Sequence, residues 1–176
     1  ARGMLEILEP LIRGRNIGRV LVVAGPGNNG GDGIAFAWHY LDRQHSEDGL
    51  PPLDLALTEP MKQIEEPGRT FLDQLKPNWN FETLEIFDAA DLQAMLRGDL
   101  LVLDCLLGTG VNRELEGEIA EYCAAVAKLP PERVVACDLP SGLDATTGKP
   151  WGEVPRAHLT LTMGTLKSGH LLGEGP

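Results

Sequence analysis

Short runs of valine and leucine alternate with amphipathic stretches along most of this chain, and that alternation restricts the fold more than any other property of the sequence. Residues 19–24, 53–57, 83–87, 100–104, 134–138 and 158–162 read as strands, several continuous in Val and Leu as strands buried on both faces are. Residues 33–43, 68–75, 89–97 and 115–128 read as the intervening helices. Asp88 stands as an N-cap before the third of these, and Gly98 closes it as a C′ residue. Alternation of this kind predicts a parallel sheet with helices on both faces and right-handed connections. The expected fold is α/β, a Rossmann-like three-layer sandwich with a mostly parallel central sheet.

The 176 residues, 43% of them hydrophobic, are enough for one domain with a sizeable core, and no break in composition argues for two. Polar stretches at 45–52 and 58–67 read as surface loops. The segment from 138 to 155, rich in Gly, Pro, Ser and Thr, is too long for an ordinary connection and reads as functional or disordered. A net charge of −11 argues against nucleic-acid and anionic-membrane partners, which want a basic stripe. Cys105, Cys123 and Cys137 are odd in number and far apart, as buried free thiols in a reducing compartment are. No apolar run approaches the ~18 residues of a membrane span and the N-terminus has no signal-peptide pattern, so a soluble cytoplasmic protein is expected.

In open α/β sheets, ligands bind beyond the carboxyl ends of the strands. Three strand ends here collect glycines together with polar residues: GPGNNGGDG at 25–33, DCLLGTG at 104–110 and DLPSGLD at 138–144. Any one of them could be a plain turn, since Gly, Asn, Asp and Pro are turn formers, but three on one edge call for a ligand. Glycine lets backbone amides approach a ligand, and a helix starting near Asp32 or Gly33 would direct its positive end there, where phosphates bind. Gly25, Gly27 and Gly30 also satisfy the dinucleotide pattern G-x-G-x-x-G. Its acidic ribose partner is poorly supplied: Asp54 comes too early, and Glu59 serves only across a long loop.

These motifs, with TGK at 147–149, HLTLT at 158–162 and KSG at 167–169, resemble the series of the NAD(P)H-hydrate epimerase family, the YjeF N-terminal domain, in order and spacing over about residues 18 to 173. The resemblance implies a Rossmann-like fold and interconversion of the R and S forms of hydrated NADH and NADPH, a metabolite repair reaction, with a bound potassium ion. It implies that Asn28, Asn29, Gly30, Gly31 and Asp32 line the nucleotide site, and that Asn29, Asp104 and Ser141 contribute to the potassium site. Gly108, Thr109, Gly110, Val111, Asn112, Arg113 and Glu114 would close over the substrate, and Asp138 would contact it. An amide, a carboxylate and a hydroxyl are the oxygen ligands a hard cation wants. Members of the family usually carry further helices before this point and continue after the K-x-G segment, so the chain reads as truncated, which leaves a homodimer and a fused or separate hydrate dehydratase open.

Epimerisation could proceed by assisted loss of water to a nicotinamide-like cation and return of water to the other face, which needs a group able to act as acid and then base. Asp138 is the first candidate and Asp32 the second. Lys167 could pair with Asp138 or a phosphate, or be a surface lysine. His39, His45, His158 and His170 lack metal-ligand spacing and read as surface or strand residues. Ser141 does not stand in a nucleophile elbow. Trp38, Trp79 and Trp151 read as packing residues, Trp151 alone lying in the long loop. Two rivals remain: a conventional NAD(P)-dependent oxidoreductase, and a non-catalytic nucleotide-binding or scaffold module on the same fold.

Overall fold

The computed structural model describes residues 1–15, 17–47, 49–75, 81–86 and 88–175. Its centre is a six-stranded sheet in the order β3-β2-β1-β4-β5-β6, every neighbouring pair parallel. The strands are β1 (Arg19–Ala24), β2 (Leu53–Leu57), β3 (Phe81–Glu85), β4 (Leu100–Cys105), β5 (Val134–Cys137) and β6 (Leu159–Leu161). The third lies two residues earlier than the expected 83–87, whose last residue, Phe87, falls outside the described residues, as does Trp79.

The period of two in β1 sorts its side chains onto two cores. Val20, Val22 and Ala24 pack under α1 (Arg2–Gly14) and α2 (Asn28–Ser46), with Leu72 of α3 (Gly68–Asp73) in the same cluster. Leu21 and Val23 pack on the opposite face against Leu92 of α4 (Ala89–Met95) and Tyr122, Cys123 and Val126 of α5 (Glu118–Ala127). Three layers result, as the alternation predicts.

Helix α1 has no counterpart in the sequence reading. Gly3, Pro10 and Gly14 mask its pattern, yet Met4, Leu5, Leu8 and Ile12 form one buried face. Glu9 fastens it to α2 through Arg43, with Nη1 3.1 Å from Oε2. The Asp88 cap forms as expected, its Oδ1 accepting from the amides of Ala90 and Asp91 at 2.8 and 2.9 Å, but α4 ends at Met95 with Leu96 as its C-cap, so Gly98, at a φ of +85°, stands one residue beyond the C′ position expected of it. All three cysteines are buried and free. Among the described residues no helix is long and apolar enough to cross a membrane.

After β3 the chain returns to pair β4 with the other side of β1. That reversal opens a crevice over the carboxyl ends of β1 and β4, where an open α/β sheet binds its ligand.

Candidate active site

The cleft at this position has a volume of about 1030 Å³ and draws its walls from three strand ends. One wall is the start of α2, which begins at Asn28, five residues before the expected helix start at 33. Asparagine and glycine are weak helix formers, and close backbone packing decides the matter instead. A Cβ on Gly25 would stand 1.9 Å from the Leu106 carbonyl oxygen, and one on Gly30 would stand 1.9 Å from that of Gly25. A Cβ on Gly33 would meet the Cys105 side chain at 2.8 Å. These glycines therefore seat α2 against the exits of β1 and β4.

Asn28 and Asp32, four residues apart on one helical face, line the cleft with Asn29. Gly30 packs inward, and Gly31 lines a smaller cavity beside Pro67 and Gly68 rather than the main cleft. Gly27 precedes the helix without a side-chain cap, so the first amides of α2 have no partner within the helix and its positive end meets the cleft.

The second wall is the chain leaving β4. Asp104 is fully buried; its Oδ1 accepts from the Ser141 hydroxyl at 2.5 Å and the Leu106 amide at 3.2 Å, and its Oδ2 accepts from the Ser141 amide at 2.9 Å. Burial pushes this carboxyl above the ordinary range, against the pull of those hydrogen bonds. Ser141 Oγ in turn accepts from the Leu107 amide at 2.9 Å, and Asn29 Nδ2 donates to the Leu107 carbonyl at 2.8 Å. Asn29, Asp104 and Ser141, from three separate elements, thus meet around one turn.

The buried Asn29 Oδ1 has no hydrogen-bond partner, and among the described residues Asp104 has no cationic one. A buried acceptor left unpaired costs about 1–3 kcal/mol. An orphan amide oxygen beside a buried carboxylate and a backbone carbonyl is a donor set that fits a hard monovalent cation. Among the described residues no three His, Cys, Asp or Glu side chains converge as a metal site, so mixed oxygens are the ligands on offer.

From Leu107 the chain runs along the cleft, which Gly108, Thr109, Gly110, Val111, Asn112, Arg113 and Glu114 all line. Arg113 is the one guanidinium among the lining residues, against the carboxylates of Asp32, Glu114, Glu116 and Asp138. Leu115 then pins the segment, its amide donating to the Trp151 carbonyl at 2.8 Å.

Asp138, at the end of β5, completes the cleft and is 9% exposed. It is the one non-glycine with positive φ among the described residues, at +64°, a conformation that costs an ordinary residue about 1–3 kcal/mol. Hydrogen bonds over-determine it. The Asp138 amide donates to Leu161 O at 2.9 Å, and Oδ1 accepts from the Met163 amide at 2.8 Å and from Lys167 Nζ. Lys167 Nζ also donates to Met163 O at 2.7 Å and Thr162 Oγ1 at 3.1 Å, so of the two readings the paired one holds. Oδ2 makes no hydrogen bond to the described residues, which leaves it as the oxygen open to a ligand. Asp32 shares the cleft; burial raises its carboxyl above the ordinary value, and the charge of Asp138 adds to the effect.

The surface or strand reading of the histidines holds for His158, which is exposed and meets Arg15 at 2.9 Å, and fails for His170. His170 Nε2 lies 2.8 Å from the Asp138 carbonyl oxygen, a contact across 32 residues for which the sequence carries no local signal. The segment 138–155 is an ordered loop, closed by an antiparallel bridge between Leu143 and Pro150 and by Trp151 Nε1 donating to Asp144 Oδ2 at 3.1 Å. Trp38 packs on Phe71 with ring centroids 6.1 Å apart. Leu106 and Leu107 also line the cleft without standing among the expected site residues, although they lie inside the DCLLGTG motif.

A family profile described as YjeF-related protein N-terminus matches residues 1–169. The chain belongs to this family. Among YjeF-related relatives, the NAD(P)H-hydrate epimerase of Oenococcus oeni is 33% identical over 99% of this chain and 77% of its own length. The NAD(P)H-hydrate epimerase of Weissella koreensis is 32% identical over 99% of this chain and 73% of its own. A bifunctional NAD(P)H-hydrate repair enzyme of Moorella thermoacetica is 34% identical over 89% of this chain, which spans 29% of that longer protein. The crystal structure of yeast ynu0 superposes with a TM-score of 0.67 at 21% identity, covering 96% of this chain and 70% of the yeast one, and so bears out the fold.

Proposed function

We propose that this YjeF-related chain is an NAD(P)H-hydrate epimerase, interconverting the R and S hydrates of NADH and NADPH. The observation that carries the reading is the shared cleft of Asp32 and Asp138, set beside the buried Asn29–Asp104–Ser141 oxygen cluster. Family membership and relatives named as epimerases support it. A scaffold would have no use for burying Asp104 and Asp138, since the desolvation of buried acids costs stability.

The hydrated ring carbon carries a hydroxyl beside the ring nitrogen. A carboxylic acid gives its proton to that hydroxyl, the carbon–oxygen bond breaks, and the nitrogen lone pair forms a planar iminium cation as water departs. A water then adds to the opposite face and returns a proton to carboxylate. We assign the proton transfers to Asp138 through Oδ2 first and to Asp32 second, and the negative cleft favours the cationic intermediate. Asn29, Asp104 and Ser141 would hold potassium, whose charge would offset the repulsion between cleft carboxylates and a diphosphate. The open amides at the start of α2 and Arg113 offer that diphosphate its donors.

The experiment is turnover of Asp138→Asn. Positioned acid–base catalysis contributes about 10²–10⁴-fold, so kcat is expected to fall by about 10³ while the dissociation constant for the hydrate stays within about threefold. An active Asn variant removes Asp138 from the role.

A further inference from the structure

We propose that His170 is a positioning residue for epimerisation that acts through the main chain of Asp138; this rests on Asp138 being the acid and base. The imidazole is held at both nitrogens. Its Nδ1 lies 3.0 Å from the Lys167 amide nitrogen, which can only donate, and its Nε2 lies 2.8 Å from the Asp138 carbonyl oxygen, which can only accept. One neutral tautomer, with the proton on Nε2, satisfies both.

The ring thereby joins the turn after β6 to the exit of β5. That turn is itself seated: the Gly169 amide donates to Ala145 O at 2.8 Å, Ser168 Oγ donates to Thr146 O at 2.8 Å, and a Cβ on Gly169 would stand 2.2 Å from the Asp144 carbonyl oxygen. His170 carries this anchoring to the peptide unit that follows the Asp138 Cα, the backbone held at a φ of +64°. Lys167, from the same turn, holds the carboxylate. Backbone and side chain of one residue are thus fixed from a single three-residue turn, Ser168–His170, and the residue before it. Removing the Nε2 bond leaves the Asp138–Leu139 peptide unit held at its other end, where the Leu139 amide donates to Cys137 O at 2.8 Å, and lets its carbonyl end tilt; a displacement of about 1 Å at a reacting group costs about 10²-fold in rate.

Three variants separate the two ends of the ring. His170→Gln keeps a donor near the Nε2 position, His170→Asn keeps an acceptor near Nδ1, and His170→Leu keeps neither. Epimerisation of the separated hydrates is expected to retain at least about a third of wild-type kcat in His170→Gln, and to lose at least about 30-fold in His170→Asn and His170→Leu, with KM within about twofold throughout. In protein labelled with ¹³C-aspartate, the Asp138 carboxyl resonance is expected to move in the Asn and Leu variants and to stay in place in the Gln variant. Equal losses in all three variants, unchanged kcat in the Leu variant, or a loss confined to KM would overturn the proposal. So would loss of the cooperative thermal transition in all three, since the Gln variant keeps the bond on which the proposal rests. If wild-type protein turns over neither hydrate, the functional reading fails on its own, and an unmoved Asp138 resonance in the Leu variant still decides against the positioning role.

Discussion

Asp144 shows how much one carboxylate organises in this protein. It accepts from the Thr147 amide at 2.7 Å, Trp151 Nε1 at 3.1 Å, the Thr147 hydroxyl at 2.9 Å and the Thr146 amide at 2.9 Å, and these bonds hold its pKa at about 2 instead of 3.8. As pH falls, the unfolded chain takes up this proton before the folded one, so the stabilisation is complete above the unfolded value and disappears between about 3.8 and about 2. The difference in unfolding free energy between wild type and Asp144→Ala, measured by urea titration, is expected to be constant from pH 7 to about 5 and to shrink toward pH 2; a difference that stays flat contradicts the account. Asp32 and Asp104 have the opposite sign, since burial raises both, and their desolvation cost is relieved as pH falls through their folded values. Asp104 belongs to the oxygen cluster, so replacing choline by potassium is expected to raise the melting temperature of wild type and leave that of Asp104→Asn unmoved. At this scale residue type and local motif made legible the Asp88 cap and the positions of Asp104 and Asp138 at the carboxyl ends of β4 and β5. The sequence misled at His170, which reads as a surface or strand residue and whose partner is the Asp138 carbonyl, 32 residues away just beyond β5.

The first helical turns of α2 carry the sharpest lesson among the elements. Read locally, GPGNNGGDG is a loop, because glycine and asparagine disfavour helix; in the fold it is helical from Asn28, because only glycines allow the approach to Gly25 and Cys105. The five glycines of this motif are consequently not equivalent. Gly33→Ala places a Cβ 2.8 Å from Cys105 Sγ and 3.1 Å from Val22, and is expected to destabilise the protein by about 1–3 kcal/mol. At Gly31 the nearest atom would lie 3.5 Å away, so Gly31→Ala is expected to stabilise by about 0.5–1 kcal/mol through helix propensity and the unfolded chain. Urea midpoints of the two variants check both, and a Gly33→Ala variant as stable as wild type refutes the packing argument. Helix α1 escaped sequence reading for a related reason: its apolar face is regular, but Gly3, Pro10 and Gly14 break the propensity signal, and packing on α2 supplies the stability instead.

For the molecule as a whole, strand–helix alternation foretold the layers and the parallel sheet, and the switch between β1 and β4 explains why three distant motifs form one cleft. Composition and periodicity do not join Asn29, Asp104 and Ser141, which only the family resemblance groups; the strand order is what brings them together. In the function proposed above, this cleft moves a hydroxyl between the two faces of a hydrated nicotinamide ring. This activity is tested by incubating the protein with purified R or S hydrate, in potassium or choline buffer, and following both forms chromatographically. Each form is expected to approach the same mixture far faster than without protein, and faster in potassium. Hydrates that equilibrate no faster with the protein than without it would rule out epimerisation by this cleft.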